Sequence, residues 1–384
     1  MNATRKILAL ATNPADNISE IRLGQPLRAL AEEGGWDLRM RPFHNVNRAD
    51  LRWADVVVIQ RANRTREVDL LAWLNEQGIP TIYEIDDLLT DPAEHVLSAA
   101  DLRAHAHLVR QMLGMADATS ASTPRLVAHL APLAKTIQLV PNYGPPQHQR
   151  LARQDDTTQV TLVVAASDRQ AVGPMAEGIR MIQADTALDV DTLAIAAIAD
   201  SLEEAGVVCR RMPQMHRDAF FRTVSSLVNP IGLIPLDSSP FSACKSAVKY
   251  FDYACLGVPS ICSAHPPYAD VIAPGHDGLL CADRPQDWAD AIRHLALTSR
   301  DRVRLTRAAR EKVEKHYSLD HTKAAWSAVL TRLIDESRVV RKPVTLPQRL
   351  TDEVIIQVEH LRNALSQWNR RRLRKRHMRP MQTP

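Results

Sequence analysis

The chain has 384 residues, enough for two ordinary domains, and 45% of them are hydrophobic, which excludes a disordered polypeptide. Its formal net charge is only +4, too small for a surface devoted to nucleic acid, so no nucleic-acid partner is expected. The five cysteines (Cys209, Cys244, Cys255, Cys262 and Cys281) form no C-x-x-C pair and lie mostly in apolar runs, which reads as reduced, buried thiols in the cytoplasm rather than a disulfide framework.

The opening run M-N-A-T-R-K-I-L-A-L-A is too short for a signal peptide and reads as a first strand, Ile7–Ala11. No uninterrupted apolar run approaches the roughly 20 residues of a membrane span. A helix over 20–33 follows and stops at Gly34-Gly35. Trp36–Arg41 and Asp55–Gln60 are the next strands; D-V-V-V-I-Q has the unbroken apolar character of a parallel strand covered on both faces. A helix over Thr65–Gln77, ended by Gly78, leads to a strand over Pro80–Ile85, which delivers E-I-D-D to its C-terminal end. A long helix of about His95–Met115, a strand at Thr119–Ser122, a helix at Pro124–Leu130 and a strand at Thr136–Val140, ending in P-N-Y-G, complete a first domain, 1–143.

Residues 144–158 are rich in Pro, Gln, Arg and Asp and lack an apolar period, as a linker would. The alternation then restarts and defines a second domain, 159–340. Its strands are Val160–Ala165, Thr192–Ile198, Val207–Arg210, Leu233–Leu236, Ser260–Ser263 and Gly278–Cys281; its helices include Gly173–Gln183, His216–Ser226, Pro285–Leu297 and Arg302–His316, with another running to about Val340. Strands alternating with helices of this length mean parallel sheets with right-handed crossovers. The fold class is therefore α/β, two Rossmann-like doubly wound domains facing across a cleft, with a C-terminal helical extension. In that extension, 341–384, Val354, Val358, Leu361, Leu365 and Trp368 make one apolar stripe, and R-R-R-L-R-K-R-H-M-R closes it. This segment reads as a helix docked on its own protein with a solvated basic end, as an attachment to anionic lipid worth about 1 kcal/mol per basic residue near the surface, or as an RNA contact.

The most informative stretch is Pro240–Ala264, P-F-S-A-C-K-S-A-V-K-Y-F-D-Y-A-C-L-G-V-P-S-I-C-S-A. Its pattern predicts a helix of about Ala243–Leu256, ended by Gly257 as a left-handed cap and by Pro259. Val248, Phe251, Cys255 and Leu256 share one face. Lys245, Lys249 and Asp252 share the other, with Ser246 in the first turn. A helix start with a lysine suits a phosphate, and a carboxylate two turns on suits ribose hydroxyls; the same residues also read as a solvated face with an internal Lys–Asp pair.

With the following P-P-Y-A-D-V-I-A-P-G-H-D-G-L-L and D-W-A-D-A-I-R-H-L, this stretch resembles the donor-binding half of group 1 (family 4-like) glycosyltransferases of the glycosyltransferase-B superfamily. It is similar to a bacterial polysaccharide-type subgroup with a K-S-x-x-K-Y-x-E pattern, matched by Lys245, Ser246, Lys249, Tyr250 and Asp252. The family's first acidic position falls on Cys244, a departure that bears on its usual contact to the sugar. The resemblance implies a hexosyltransferase-like enzyme, retaining at the anomeric carbon, that uses a nucleotide-diphosphate sugar as co-substrate with no other cofactor and no metal. The implied acceptor is a hydroxyl of a glycan or lipid-linked molecule in cell-surface polysaccharide synthesis. A sugar-lipid acceptor makes the anionic inner face of the cell membrane the preferred reading of the basic tail.

Ligands of doubly wound sheets sit at the C-terminal ends of the strands, so candidate site residues are sought there. Asp86 and Asp87 could orient or deprotonate an acceptor hydroxyl; as alternatives, paired carboxylates can hold Mg²⁺, or one can cap a helix. The resemblance puts a similar D-D pair at this position. Arg22 and Arg61 are acceptor-side candidates. On the donor side stand Lys245, Ser246, Lys249 and Asp252, and, by resemblance to the family's phosphate-binding basic residue, Arg169. His44, His95, His216 and His265 lack metal-ligand spacing with any Cys, Asp or Glu partner. Two rivals use the same fold: an epimerase acting on a nucleotide sugar, and a non-catalytic sugar-nucleotide-binding or assembly protein.

Overall fold

The computed structural model describes residues 4–93, 99–145, 151–166 and 172–337. Two six-stranded sheets are built from strands that pair in parallel throughout. The first holds β1 (Arg5–Ala11), β2 (Trp36–Pro42), β3 (Val56–Gln60), β4 (Thr81–Ile85), β5 (Ala118–Ala121) and β6 (Ile137–Leu139), in the order β2-β1-β3-β4-β5-β6. The second holds β7 (Val160–Ala165), β8 (Val190–Ile195), β9 (Arg210–Met212), β10 (Pro230–Ile234), β11 (Ser260–Ser263) and β12 (Leu279–Cys281), in the order β12-β11-β10-β7-β8-β9. Both are doubly wound Rossmann-like sheets, as the alternation of elements predicts.

The inner strands β3, β4, β10 and β11 are buried along their whole length because helices cover both faces, whereas the edge strands β2 and β9 carry arginines and are partly exposed. In β1 the alternation is visible residue by residue. Ile7 and Ala9 enter one core with Val56, Val58 and Ile82; Leu8 and Leu10 enter the opposite core with Val57, Ile59 and Tyr83.

Several expectations are revised. The helix Leu319–Ser337 follows the second sheet in sequence but packs on the first, burying Trp326 and Leu330 against Ile7, Leu23 and Leu27. Trp326 Nε1 donates to the Arg22 carbonyl at 3.0 Å and Thr322 Oγ1 to the Pro141 carbonyl at 2.9 Å. The chain thus returns to the first lobe, whereas a second domain running unbroken to 340 would keep this helix with the second sheet. Residues 151–158, read as linker, form a strap on the second lobe. Ala152 N–H donates to the Leu256 carbonyl at 2.7 Å, and buried Arg302 reaches Gln154 Oε1 at 3.0 Å and the Thr157 carbonyl at 3.2 Å. The strand expected over Thr192–Ile198 ends at Ile195, where Ala196 turns with φ +69° and the helix Ile198–Glu204 begins. The strands read at Val207–Arg210 and Leu233–Leu236 lie at Arg210–Met212 and Pro230–Ile234.

The single helix expected over 243–256 is two helices. Pro240–Ala243 is capped by Ser239, whose Oγ accepts from Ser242 N–H at 3.2 Å; the chain then breaks and resumes as Val248–Leu256, closed by Gly257 at φ +78°. The reason lies in what each half buries. Phe241 and Cys244 enter the core of the first lobe with Leu88, Leu102 and Leu126, while Tyr250 and Phe251 enter a core of the second. One straight helix does not serve both lobes. The basic extension 341–384, with its lipid and RNA readings, lies outside the described residues.

Candidate active site

Strand order reverses between β1 and β3 in the first sheet and between β7 and β10 in the second, and ligands bind doubly wound sheets at these switch points. A cavity of about 490 Å³ lies where the two sets of strand ends face each other. Its first-lobe wall carries Asp16 and Arg22 after β1, Arg61 after β3, Asp86 and Asp87 after β4, and Asn142 after β6. The second-lobe wall carries Lys245, Ser246, Lys249, Asp252 and Arg217, with Ala166, Ala196 and Pro235 at the ends of β7, β8 and β10. Every residue singled out from the sequence as acceptor-side, donor-side or catalytic therefore lines one cavity, except Arg169, which lies outside the described residues.

The first-lobe wall is a network of charged groups. Arg22 sits in a π-wound turn, Glu20–Gly24, of the entry helix; such local widening recurs at functional sites. It is buried, and its Nε donates to Glu84 Oε1 at 2.7 Å while Nη1 donates to Asn142 Oδ1 and the Val140 carbonyl, both at 2.7 Å. Glu84 also accepts from Gln60 Nε2 at 2.9 Å, and Gln60 accepts from Ser19 Oγ at 2.6 Å. A buried guanidinium paired and bonded in this way is held in one rotamer. Arg61 has φ +49°, a left-handed backbone that is uncommon outside glycine and that recurs where a site constrains the chain. Its guanidinium forks to Asp86 and Asp87, at 3.3 Å from each.

These contacts split the two aspartates. Burial pushes the Asp86 carboxyl up to about 6, with Arg61 opposing and the Asp87 charge adding. Burial would raise Asp87 too, but Lys245 and then Arg61 hold it below the ordinary carboxylate value. Arg61 loses by burial and gains more from Asp86, Asp87 and Glu84, so it stays charged. Two adjacent carboxyls with opposite shifts are suited to different tasks.

On the second-lobe wall, Lys245 lies in the break between the two helices rather than on the face that Lys249 and Asp252 share. Its Nζ is 3.5 Å from Asp87 Oδ1 and 4.6 Å from the centre of the Phe241 ring. Ser246, also in the break, accepts from Asn142 Nδ2 at 2.6 Å, so Asn142 links Arg22 in one lobe to Ser246 in the other. Lys249 lies over the Phe220 ring at 4.8 Å; burial lowers its pKa, Asp252 opposing. Asp252 is 4% exposed, and its Oδ1 accepts from Arg217 Nε at 2.9 Å. Val248–Leu256 begins at Ala247, which offers no side-chain cap to the N–H groups of the first turn.

Sequence reasoning missed three residues. Arg217, in the first turn of Arg217–Ser225, is buried between the Tyr143 and Phe221 rings and holds Asp252. Its only sequence signal was an arginine opening a helix. Asn142 was visible as the polar residue of P-N-Y-G at the end of the last strand of the first sheet. Glu84 belongs to the E-I-D-D run, but it sits behind the wall as the counter-ion of Arg22 rather than in the cavity. Cys244, by contrast, is absent from the cavity lining; it is packed in the first-lobe core, its carbonyl accepting from Thr123 Oγ1 at 2.9 Å, and burial raises its thiol pKa.

Two Rossmann-like domains meeting at such a cleft define the GT-B fold, and solved GT-B glycosyltransferases are structural neighbours of this chain. No protein-family model matches the sequence, and no curated protein does. Among solved structures, sucrose-phosphate synthase from Thermosynechococcus elongatus aligns with TM-score 0.65 and 15% identity, covering 86% of this chain and 100% of its own. Anabaena Alr3699/HepE, solved in complex with UDP-glucose, aligns with TM-score 0.55 and 12% identity over 85% of this chain and 99% of its own. A putative UDP-N-acetylglucosamine 2-epimerase from Listeria monocytogenes aligns with TM-score 0.51 and 14% identity over 87% and 98%. At these identities the likeness is one of fold.

Proposed function

We propose that this protein transfers a sugar from a nucleotide-diphosphate sugar to a hydroxyl of a glycan or lipid-linked acceptor. The observation that carries this reading is the division of the cavity: Lys245, Lys249 and Arg217 stand on one wall, and Asp86 and Asp87 on the other. Glycosyl transfer needs that division. Charge develops on the departing diphosphate while the sugar becomes oxocarbenium-like, and the attacking hydroxyl sheds a proton. Lys245, Lys249 and the uncapped helix start beside Ser246 would stabilise the diphosphate; losing one preorganised contact of this kind typically costs about 10²-fold or more in rate. The Arg217–Asp252 pair would border the ribose, with Asp252 offering its other oxygen to a hydroxyl. Asp86 would accept the hydroxyl proton or orient the acceptor, and Asp87 would keep Arg61 in place while giving up Lys245 to the diphosphate. Arg169 is a further candidate for the diphosphate. Closure of the two lobes on the donor would keep water, the competing acceptor, out.

The HepE complex with UDP-glucose supports a nucleotide-sugar donor on this fold. The resemblance read in the sequence supports retention at the anomeric carbon, membership of the family 4-like polysaccharide group and a role in cell-surface polysaccharide synthesis. No described helix is long and apolar enough to cross a membrane. A cytoplasmic location, with the basic tail on an anionic membrane surface, remains part of the proposal.

The test is a thermal-shift screen against nucleotide-diphosphate sugars, followed by transfer assays with the donor found. A ligand at a hundred times its Kd stabilises by about 2.7 kcal/mol, a readable shift. Binding without turnover would support an assembly role. Conversion of the donor with no acceptor present, by inversion at a sugar carbon, would support the epimerase reading, which the Listeria neighbour keeps in second place.

A further inference from the structure

The walls of the cavity differ in what charge they leave unspent, and that difference bears on the acceptor. On the first-lobe wall, both arginines are already matched. Arg22 is paired with Glu84 at 2.7 Å and further held by Asn142 and the Val140 carbonyl; its remaining nitrogen has no partner but is sealed from solvent. Arg61 divides itself between Asp86 and Asp87. Asp16, which caps the entry helix by accepting from Ser19 N–H at 2.7 Å, adds another carboxylate to the same wall. Among the described residues, two guanidiniums thus face three lining carboxylates and the buried Glu84 behind them, so this wall is net negative. Among the described residues of the second-lobe wall, Arg217, Lys245 and Lys249 stand with Asp252 as the one carboxylate, so the wall is net positive, although Lys245 also meets Asp87 across the cavity at 3.5 Å until a diphosphate takes it.

A diphosphate belongs on the second wall. An acceptor entering from the first-lobe side meets carboxylates in a confined, low-dielectric space where like charges repel strongly. Resting on the glycosyl-transfer reading above, we infer that the part of the acceptor that enters the cleft is an uncharged or amine-bearing polyol, and that this wall selects against phosphate- or carboxylate-bearing acceptors. A lipid-diphosphate monosaccharide is disfavoured for the same reason, because its charge would lie one sugar ring from the accepting hydroxyl. A longer lipid-linked glycan, whose phosphates stay outside the cleft, is compatible. In the reaction sequence, this places the transfer on an already begun neutral or amino glycan rather than on the first lipid-bound sugar.

The test presents one glycoside scaffold to the protein in three forms, as methyl glucoside, methyl glucosaminide and methyl glucoside 6-phosphate. Their binding is followed by saturation-transfer NMR on protein loaded with the nucleoside diphosphate that the thermal-shift screen selects. Transfer from the matching nucleotide sugar is then measured to longer glycans in neutral, amino and phosphorylated form. The expected result is a kcat/KM for the phosphorylated form at least tenfold below the neutral one and the weakest NMR signal for methyl glucoside 6-phosphate. Asp87→Asn should narrow that gap. A phosphorylated form that equals or exceeds the neutral form in binding or in transfer overturns the inference. Failure of every nucleoside diphosphate to bind would instead defeat the donor assignment, and that outcome is read before any acceptor is added.

Discussion

Lys245 Nζ lies 3.5 Å from Asp87 Oδ1, so a cation of the second lobe is paired with a carboxylate of the first. A donor diphosphate that uses Lys245 must displace Asp87, which makes that carboxylate a competitor for the site. Asp87→Asn is therefore expected to bind a nucleoside diphosphate several-fold more tightly than the parent protein. Lys245→Met should weaken binding tenfold or more. Calorimetric titration of both variants decides it: weaker binding by Asp87→Asn would mean that the aspartate supports the site instead of occupying it.

The Asp86 carboxyl, pushed by burial up to about 6, sets a pH dependence. If it takes the acceptor proton, kcat/KM should fall on the acid side with an apparent pKa near 6. Because the Asp87 charge raises Asp86, Asp87→Asn should move that limb to lower pH. For stability the sign is the opposite of that for an ordinary salt-bridged aspartate. A folded-state value raised above the unfolded one means that the contribution of Asp86 is fully present below about 4 and is lost as pH rises through about 6. Denaturant titrations of parent and Asp86→Asn across this range should converge at low pH and separate above it, the variant being relatively more stable at neutral pH.

Arg217 and Asp252 form a pair with side chains only 9% and 5% exposed. Arg217→Met leaves a buried carboxylate without its counter-ion, a change that typically costs about 3–5 kcal/mol. A double variant, Arg217→Met with Asp252→Leu, should recover much of that stability while still losing nucleotide binding. Parallel urea melts and nucleotide titrations separate the structural part from the functional one.

Phe241 is contributed by the second lobe and buried in the core of the first. Phe241→Ala should cost about 3–5 kcal/mol through the cavity it leaves. The loss should fall on the first lobe, read as reduced amide protection in β4 and in the helix Ala99–Met115, with the second sheet little changed. An equal loss in both sheets would show that the lobes unfold as one unit.

Cys244 stands where the resembled family has an acid, and the obvious repair is Cys244→Glu. At 4% exposure among apolar first-lobe side chains, that carboxylate would be buried, and the guanidinium that acts on this position, Arg125, is already bound to Asp270 at 2.6 Å. The expected outcome is lower stability with no gain in transfer, measured by melting temperature and turnover. Increased turnover would place the side chain in the cleft after all.

The sequence by itself determined the two doubly wound sheets and the set of cavity residues that local pattern can reveal. Asp86 and Asp87 follow a strand, Arg61 follows another, and Lys249 and Asp252 share a helix face; each is a short-range regularity, written into a few neighbouring residues. Tertiary structure alone decided what those residues do to each other. Glu84 is the counter-ion of Arg22 across 62 positions of sequence, Arg217 holds Asp252 across 35, and Lys245 meets Asp87 from the other lobe. The helix break before Val248 and the return of Leu319–Ser337 to the first sheet were equally invisible. Both are set by which distant core buries an apolar side chain, and periodicity tells that a face is buried without telling against what.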